Sequence, residues 1–189
     1  AKAAAEHLLA LGHRSILVTG IEPPEAGEVL DDDGVTARRL RGYQAAFKDR
    51  GLALDPEAVI VAPATIEGGI SAMRRAWEDG FRPTAVLAMS DAMAIGVLRA
   101  ARELGLRVPE DLSVVGFDDI DISQHTNPPL TTVHQPIRQK GESAVRLLLS
   151  VVERRDPTPE QLRLETRLVI RGSTGPAPRL RQEVERARS

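Results

Sequence analysis

Cysteine is absent from this sequence of 189 residues, and aromatic residues are scarce. Without thiols the chain cannot form disulfide bonds or zinc ribbons, and it cannot use a cysteine nucleophile. Its four histidines, at positions 7, 13, 125 and 134, lack the spacing of metal ligands. The few aromatic side chains leave little surface for stacking on bases or sugar rings. We therefore expect neither a histidine or cysteine metal site nor a bound cofactor.

Long apolar runs are also missing. No segment approaches the roughly 18 consecutive apolar residues of a membrane helix, and no basic-then-apolar leader opens the chain, so we expect a cytoplasmic protein. The 25 Lys and Arg residues balance 27 Asp and Glu residues, which argues against a nucleic-acid groove in this segment. The hydrophobic fraction of 42% is enough for a packed core.

Apolar spacing predicts strands and helices in alternation. After a helix that ends near Leu11, strands are predicted at 15–19, 58–61, 84–89 and 112–117, and helices at 36–50, 69–78 and 91–104. Strands that alternate with helices in this way form a parallel sheet covered on both faces. The predicted fold class is therefore a doubly wound α/β domain.

The remaining segments are interpreted as follows. Residues 21–35, with the acidic run Asp31–Asp33, have the composition of a loop. A short strand at 130–133, a helix at 137–153 and a last strand at 162–170 complete the pattern. Because the chain begins with alanine inside a helical pattern, we expect it to be cut from a longer one.

Candidate ligand-binding residues follow the predicted strands, because open α/β sheets bind ligands at the carboxyl ends of their strands. This rule selects Gly20, the segment 62–65, the pair Ser90 and Asp91, and the pair Asp118 and Asp119. Ser90 is also well placed to cap the helix that follows it, and a capping role and a ligand role are compatible.

The acidic cluster Asp118, Asp119 and Asp121 has two interpretations. Carboxylates after a strand can hold Mg²⁺ in a hydrolase or phosphotransfer enzyme, or they can accept hydrogen bonds from the hydroxyl groups of a neutral ligand. No P-loop, Gly-x-Gly-x-x-Gly or Gly-x-Ser-x-Gly motif accompanies the cluster. The hydroxyl-binding interpretation is therefore favoured, and the metal-dependent enzyme remains an alternative.

Six motifs, taken together, are specific. They are G-H-R-S-I-L-V-T-G (12–20), R-x-x-G-Y-x-x-A-F (39–47), P-T-A-V-L-A-M-S-D-A-M-A-I-G (83–96), G-L-R-V-P-E-D-L-S-V-V-G-F-D-D (105–119), P-P-L-T-T-V-H-Q-P (128–136) and L-V-I-R-G-S-T (168–174). In order and spacing, residues 1 to about 174 resemble the effector-binding domain of the lactose-repressor (LacI/GalR) family of bacterial transcription regulators.

The resemblance implies a periplasmic-binding-protein-like core of two lobes, preceded by a DNA-binding head and a hinge helix that this chain lacks. Residues 1–127 would form the second lobe, and residues 128–136 would cross between the lobes. Residues 137–174 would be the helix and strand that belong to the first lobe, and residues 175–189 a polar tail.

The resemblance also assigns ligand-binding positions. Arg39 matches an arginine that binds effector hydroxyl or carboxylate groups, Asp118 matches a carboxylate that accepts from the effector, and Gln135 matches a polar residue of the crossing strand. Ser90 stands where the family often has asparagine, and Ala64 where many members have a stacking aromatic residue. These two departures leave the identity of the effector open. Asp91 fits the motif and is interpreted as structural.

The function implied is that of an effector sensor that is not an enzyme. A small polar ligand, such as a sugar, would close the two lobes of a homodimer that binds operator DNA through its heads. A transport-type solute-binding protein is the alternative within the same fold. Met93, Val97 and the stretch 120–123 are candidate dimer contacts, although Met93 and Val97 could instead face the core. The apolar face of helix 137–153 would lack its first-lobe partners, and we expect it to pack against another copy.

Overall fold

The structure is a computed structural model that describes residues 1–20, 34–152 and 162–178. The predicted loop with Asp31–Asp33 and most of the predicted polar tail lie outside the described residues.

Helices and strands alternate as predicted. The helices are α1 (Lys2–Ala10), α2 (Val35–Lys48), α3 (Ile66–Glu78), α4 (Asp91–Glu103) and α5 (Ile137–Val152). The strands are β1 (Ile16–Thr19), β2 (Val59–Ile60), β3 (Ala85–Ala88), β4 (Ser113–Asp118), β5 (Thr131–His134) and β6 (Arg167–Val169). The last strand is shorter than predicted, because residues 162–166 pair with no strand in the described part of the chain.

The strands form one sheet in the order β2-β1-β3-β4-β5-β6. All neighbouring pairs from β2 to β5 are parallel, and β6 runs antiparallel to β5. The predicted doubly wound α/β class is confirmed. β6 pairs with β5, the strand that was expected to cross between the lobes, and the assignment of β6 to the first lobe stays a prediction.

The sheet is buried on both faces. Along β1, Leu17 belongs to an apolar cluster with α3 and α4, whereas Ile16 and Val18 belong to a cluster with α1 and α2. Successive side chains of a strand point to opposite faces, so a strand covered on both sides needs apolar residues at every position. This requirement explains the apolar runs at 16–18 in β1 and 85–88 in β3.

Helices α3 and α4 lie in close contact at two glycines. A Cβ atom at Gly96 would lie 2.0 Å from the Ile66 carbonyl oxygen, and one at Gly69 would lie 2.1 Å from the Met93 carbonyl oxygen. Met93 and Val97 are 0% exposed and belong to the core between the sheet and these helices. Their assignment as dimer contacts is therefore wrong, because the packing of α4 directs them inward.

Residues after β6 pack along the amino ends of the strands. The Ser173 carbonyl oxygen accepts from the Val114 N–H, and the Ala177 N–H donates to the Leu11 carbonyl oxygen. His13, which is 0% exposed, contacts this segment through a 3.0 Å hydrogen bond from its Nε2 to the Gly175 carbonyl oxygen. Residues 173–177 thus contact the chain before β1 and the start of β4, and the predicted lobe boundary stays a prediction.

The buried His13 predicts a loss of stability in mild acid. Burial lowers the pKa of His13, and it also lowers the pKa of His7. Well above pH 6.5 the histidine rings are neutral in both the folded and the unfolded chain. Below pH 6.5 the unfolded chain binds a proton on His13, whereas in the folded chain the lowered pKa keeps this ring neutral. At pH 5.5 this difference lowers the free energy of unfolding by at most about 1.4 kcal/mol per histidine.

Urea unfolding at pH 7.5 and pH 5.5 measures this loss. We expect His13→Gln to reduce the difference between the two pH values, and the exposed His125→Gln is the control. An equal pH dependence in wild type and His13→Gln would contradict the prediction.

Helix α5 has no buried residue, as expected for a helix whose apolar face lacks a partner. Its large exposed apolar side chains are Ile137, Val145, Leu148, Leu149, Val151 and Val152. The packing of this face against another copy stays a prediction. Among the described helices, α5 included, none combines the length and the apolar character needed to cross a membrane.

Candidate functional site

The carboxyl ends of β1, β3, β4 and β5 meet at one edge of the sheet because these strands are parallel. Ser90 follows β3, Asp118 ends β4 and Gln135 follows β5. Helix α2, the next described helix after β1, brings Arg39 to the same edge. Four of the five predicted site residues therefore occupy neighbouring positions.

Arg39 is held by three groups. Its Nη1 donates to the Met89 carbonyl oxygen, and its Nη2 lies 3.5 Å from Asp118 Oδ1. Its guanidinium carbon lies 3.8 Å from the centre of the Phe117 ring. The side chain is only 15% exposed, so Arg39 points inward from the start of α2. A planar guanidinium fixed in this way presents its remaining N–H groups in a defined direction.

Asp118 connects Arg39 with Gln135. The Gln135 amide donates to Asp118 Oδ1 at 2.6 Å, so the same oxygen receives both neighbours. Burial raises the pKa of the Asp118 carboxyl, and the opposing effects of Arg39 and Gln135 do not reverse that direction. The resulting group offers acceptor and donor atoms side by side, as hydroxyl-bearing ligands require.

Ser90 and Ala64 contribute differently. The Ser90 hydroxyl oxygen accepts from the Met93 N–H at 3.2 Å, so this side chain caps α4. Its neighbour Met89 provides the carbonyl oxygen that fixes Arg39. Ala64 lies exposed between β2 and α3, and its methyl group can provide only apolar contact. The ligand roles of all five residues remain predictions.

Asp119 belongs to a second polar group that sequence reasoning missed. Its two oxygens lie 2.6 Å from Arg171 Nη2 and 2.9 Å from His134 Nδ1. Although burial alone would raise the pKa of Asp119, these two partners bring it below its usual value. The contacts tie the segment after β4 to β5 and to the chain after β6. Sequence order separates these segments, so no local pattern could indicate the pairing.

Asp118 and Asp119 both have positive φ angles, 125° and 60°. Aspartate adopts this backbone region more readily than most residues do, and such conformations persist where surrounding contacts fix them. The turn directs the Asp118 side chain toward Arg39 and the Asp119 side chain toward Arg171. Two adjacent carboxylates therefore have separate partners.

A cavity of about 580 Å³ opens beside this turn. Its lining includes Asp118, Asp119, Asp121, Gln135 and Glu142. A groove of about 600 Å³ between β2 and the end of α3 contains none of the predicted site residues. Of these two cavities, the one beside β4 is lined by the predicted site residues Asp118 and Gln135.

The geometry gives the magnesium-enzyme alternative little support. Asp118 Oδ1 accepts from a neutral amide and pairs with a guanidinium, and both oxygens of Asp119 have cationic or N–H partners. Among the described residues, no group of three or more histidine, aspartate or glutamate side chains is arranged to hold a metal ion.

The fold, together with the polar side chains at the carboxyl ends of its strands, is typical of α/β domains that bind small molecules at that edge of a parallel sheet. Residues 5–174 match the family described as periplasmic binding protein-like domain, and the chain belongs to it. Within that family it is an effector-binding domain of the LacI type, as the six motifs predicted.

Three relatives illustrate the similarity. The HTH-type transcriptional repressor CytR of Escherichia coli K12 is 41% identical over 140 residues, which cover 74% of this chain and 41% of the repressor. The structure of the transcriptional regulator CelR in complex with cellobiose is 35% identical with a TM-score of 0.82, covering 91% of this chain and 50% of CelR. The dimeric Lac repressor is 34% identical with a TM-score of 0.80, covering 94% and 61%.

The chain spans about half the length, or less, of the curated relatives it matches, 41% of CytR and 49% of the ribose operon repressor of Haemophilus influenzae. These relatives are transcriptional repressors rather than enzymes.

Proposed function

We propose that this chain is the effector-sensing part of a cytoplasmic, DNA-binding transcriptional repressor. The observation that carries the proposal is the group formed by Arg39, Asp118 and Gln135 at the carboxyl edge of the sheet. Operator DNA would bind through a head domain outside this chain.

The effector is a neutral, hydroxyl-rich molecule such as a sugar. Arg39 already faces the Asp118 carboxylate and the Met89 carbonyl oxygen, so its charge is largely compensated before a ligand arrives. An anionic ligand would add its charge beside Asp118 and Asp121, which line the cavity beside β4, where Glu142 is already paired with Arg138. A hydroxyl group can donate to Asp118 and accept from Arg39 without adding a charge. The cellobiose bound to CelR is a ligand of this kind.

The ligand regulates by shifting a population. A molecule held between Asp118 on one lobe and groups on the other lobe binds the closed arrangement more tightly than the open one. It can shift the equilibrium only by that difference in affinity. The closed arrangement would alter the spacing of the two DNA-binding heads in a dimer.

A thermal-shift screen of the complete protein tests the proposal. Neutral sugars, including ribose and cellobiose, are compared with their acid and phosphate derivatives. At 100 times its Kd, a ligand that binds only the folded state adds about 2.7 kcal/mol to the free energy of unfolding. Stabilisation by anionic compounds alone would contradict the neutral-ligand proposal, and magnesium-dependent turnover of a hit would favour the enzyme alternative.

We propose a homodimer in which the 3₁₀ turn Asp121–Gln124 contributes to the interface. Ile120 and Ile122 beside and within this turn are 39% and 53% exposed, and exposed apolar residues in one place mark interaction surfaces. The Lac repressor with a similar fold is dimeric.

Ile122→Asp is therefore expected to weaken self-association of the complete protein. Loss of one well-buried interface side chain raises the dimer Kd by about tenfold or more. Sedimentation across a concentration series measures this change. Val35→Asp, at a 61% exposed position on α2, is the matched control and should leave the dimer Kd unchanged. A wild-type-like Kd for Ile122→Asp would exclude the turn from the interface.

A further inference from the structure

Asp91, the first residue of α4, is a fully buried carboxylate with three hydrogen-bond donors around it. Its Oδ2 accepts from the Ile120 N–H at 2.9 Å and from the Ser123 hydroxyl at 2.6 Å. Its Oδ1 accepts from the Thr132 hydroxyl. The residue is 0% exposed. A buried carboxylate is costly unless hydrogen bonds compensate for the lost water, and here they come from two separate segments of the chain.

These two segments carry the candidate effector residues. Ile120 lies two residues after Asp118, and its N–H is the first one beyond the two residues with positive φ. Thr132 lies in β5, which leads directly to Gln135. The Asp91 side chain therefore holds both the turn that presents Asp118 and the strand that presents Gln135.

The helix terminus acts on Asp118 directly as well. The Asp91 backbone N–H donates to the Asp118 carboxylate, while the preceding Ser90 caps α4. The side chain of Asp91 thus fixes the backbone of the turn, and its main chain fixes the carboxylate that the turn presents.

A glycine in β4 makes room for the Asp91 carboxylate. A Cβ atom at Gly116 would lie 2.2 Å from Asp91 Oδ1. The carboxylate therefore occupies space that any other residue at position 116 would fill. The Asp91 carboxylate packs against β4 itself. Its hydrogen bonds therefore fix the position of the turn after β4 relative to α4.

We propose that Asp91 is a positioning residue of the effector site, which sets the placement of Asp118 and Gln135 through the turn and through β5. That these residues bind an effector rests on the function proposed above. The positioning of the turn by Asp91 can be measured without any ligand.

Hydrogen exchange in the 189-residue chain tests the proposal. In Asp91→Asn, which keeps the size of the side chain, we expect the Ile120 amide to exchange about 10- to 100-fold faster relative to the Leu87 amide in central strand β3, because a hydrogen bond to a charged group is lost. Ser123→Ala and Thr132→Val each remove one hydrogen-bond donor to Asp91. We expect Ser123→Ala to speed exchange of the Ile120 amide and Thr132→Val to speed exchange of the Gln135 amide.

Leu9→Ala is the control, since it destabilises the buried core beside α1 without touching Asp91. A purely global role of Asp91 would increase exchange of Ile120 and Leu87 in the same ratio, as in Leu9→Ala, and would overturn the proposal. If Asp91→Asn does not fold, the Ser123→Ala and Thr132→Val variants test the proposal instead, through exchange of the Ile120 or Gln135 amide relative to the Leu87 amide. If Asp91→Asn loosens the turn but Asp118→Ala leaves the affinity for the effector unchanged, the proposed function is refuted. The conclusion that Asp91 positions the turn would still hold.

Discussion

Asp118→Ala is expected to lower the affinity of the complete protein for its effector by about 10- to 150-fold, because removal of a charged hydrogen-bond partner costs about 1.5 to 3 kcal/mol. The carboxylate lies between Arg39 and Gln135, so its loss also leaves both donors without their shared acceptor. Within the described part of the chain, the Met89 carbonyl oxygen and the Phe117 ring would then remain to fix Arg39.

Calorimetry with the best ligand from the sugar screen measures this effect. Glu110→Ala is the control, since Glu110 is an exposed carboxylate that does not line this cavity. We expect the control to bind with near wild-type affinity. Equal affinity of Asp118→Ala and wild type would remove Asp118 from the site.

Gly96→Ala is expected to destabilise the fold by about 1 to 3 kcal/mol or more, the cost of forcing additional volume into a packed interface. The new methyl carbon would lie 2.0 Å from the Ile66 carbonyl oxygen, and a backbone atom cannot move aside as a flexible side chain can. The two helices must separate, which displaces the amino terminus of α4 and with it Ser90 and Asp91.

Gly141→Ala in α5 provides the matched control, because a Cβ atom there meets nothing within 4 Å. Alanine is preferred over glycine in a helix by about 1 kcal/mol, so this variant should be slightly more stable than wild type. Urea unfolding of both variants measures the difference. Wild-type stability of Gly96→Ala would show that the contact between α3 and α4 is not tightly packed.

Local periodicity was sufficient to predict most of the fold. Buried strands such as β3 are continuous apolar runs, and α4 begins at a capping serine and ends before Gly105, so each element is specified by neighbouring residues. The sixth strand was predicted too long, because Leu162 and Leu164 are apolar although they pair with no described strand. Apolar character alone does not show whether a strand partner is present.

The orientation of side chains on a helix was harder to predict. Met93 and Val97 could have faced a second copy or the core, and both alternatives fit the spacing of α4. Glycines at 69 and 96 decide the question, because they allow α3 to approach that face of the helix. This approach depends on two helices far apart in sequence, so it could not be derived from α4 itself.

The sequence by itself determined the class of the domain, the order of its elements and the residues that follow the strands. The tertiary structure alone decided which of those residues act together. Arg39 meets Asp118 across 79 positions of the chain, and Thr132 meets Asp91 across 41. Propensity and periodicity reflect interactions within a few residues, whereas such pairings exist only after parallel strands have brought their carboxyl ends to one edge.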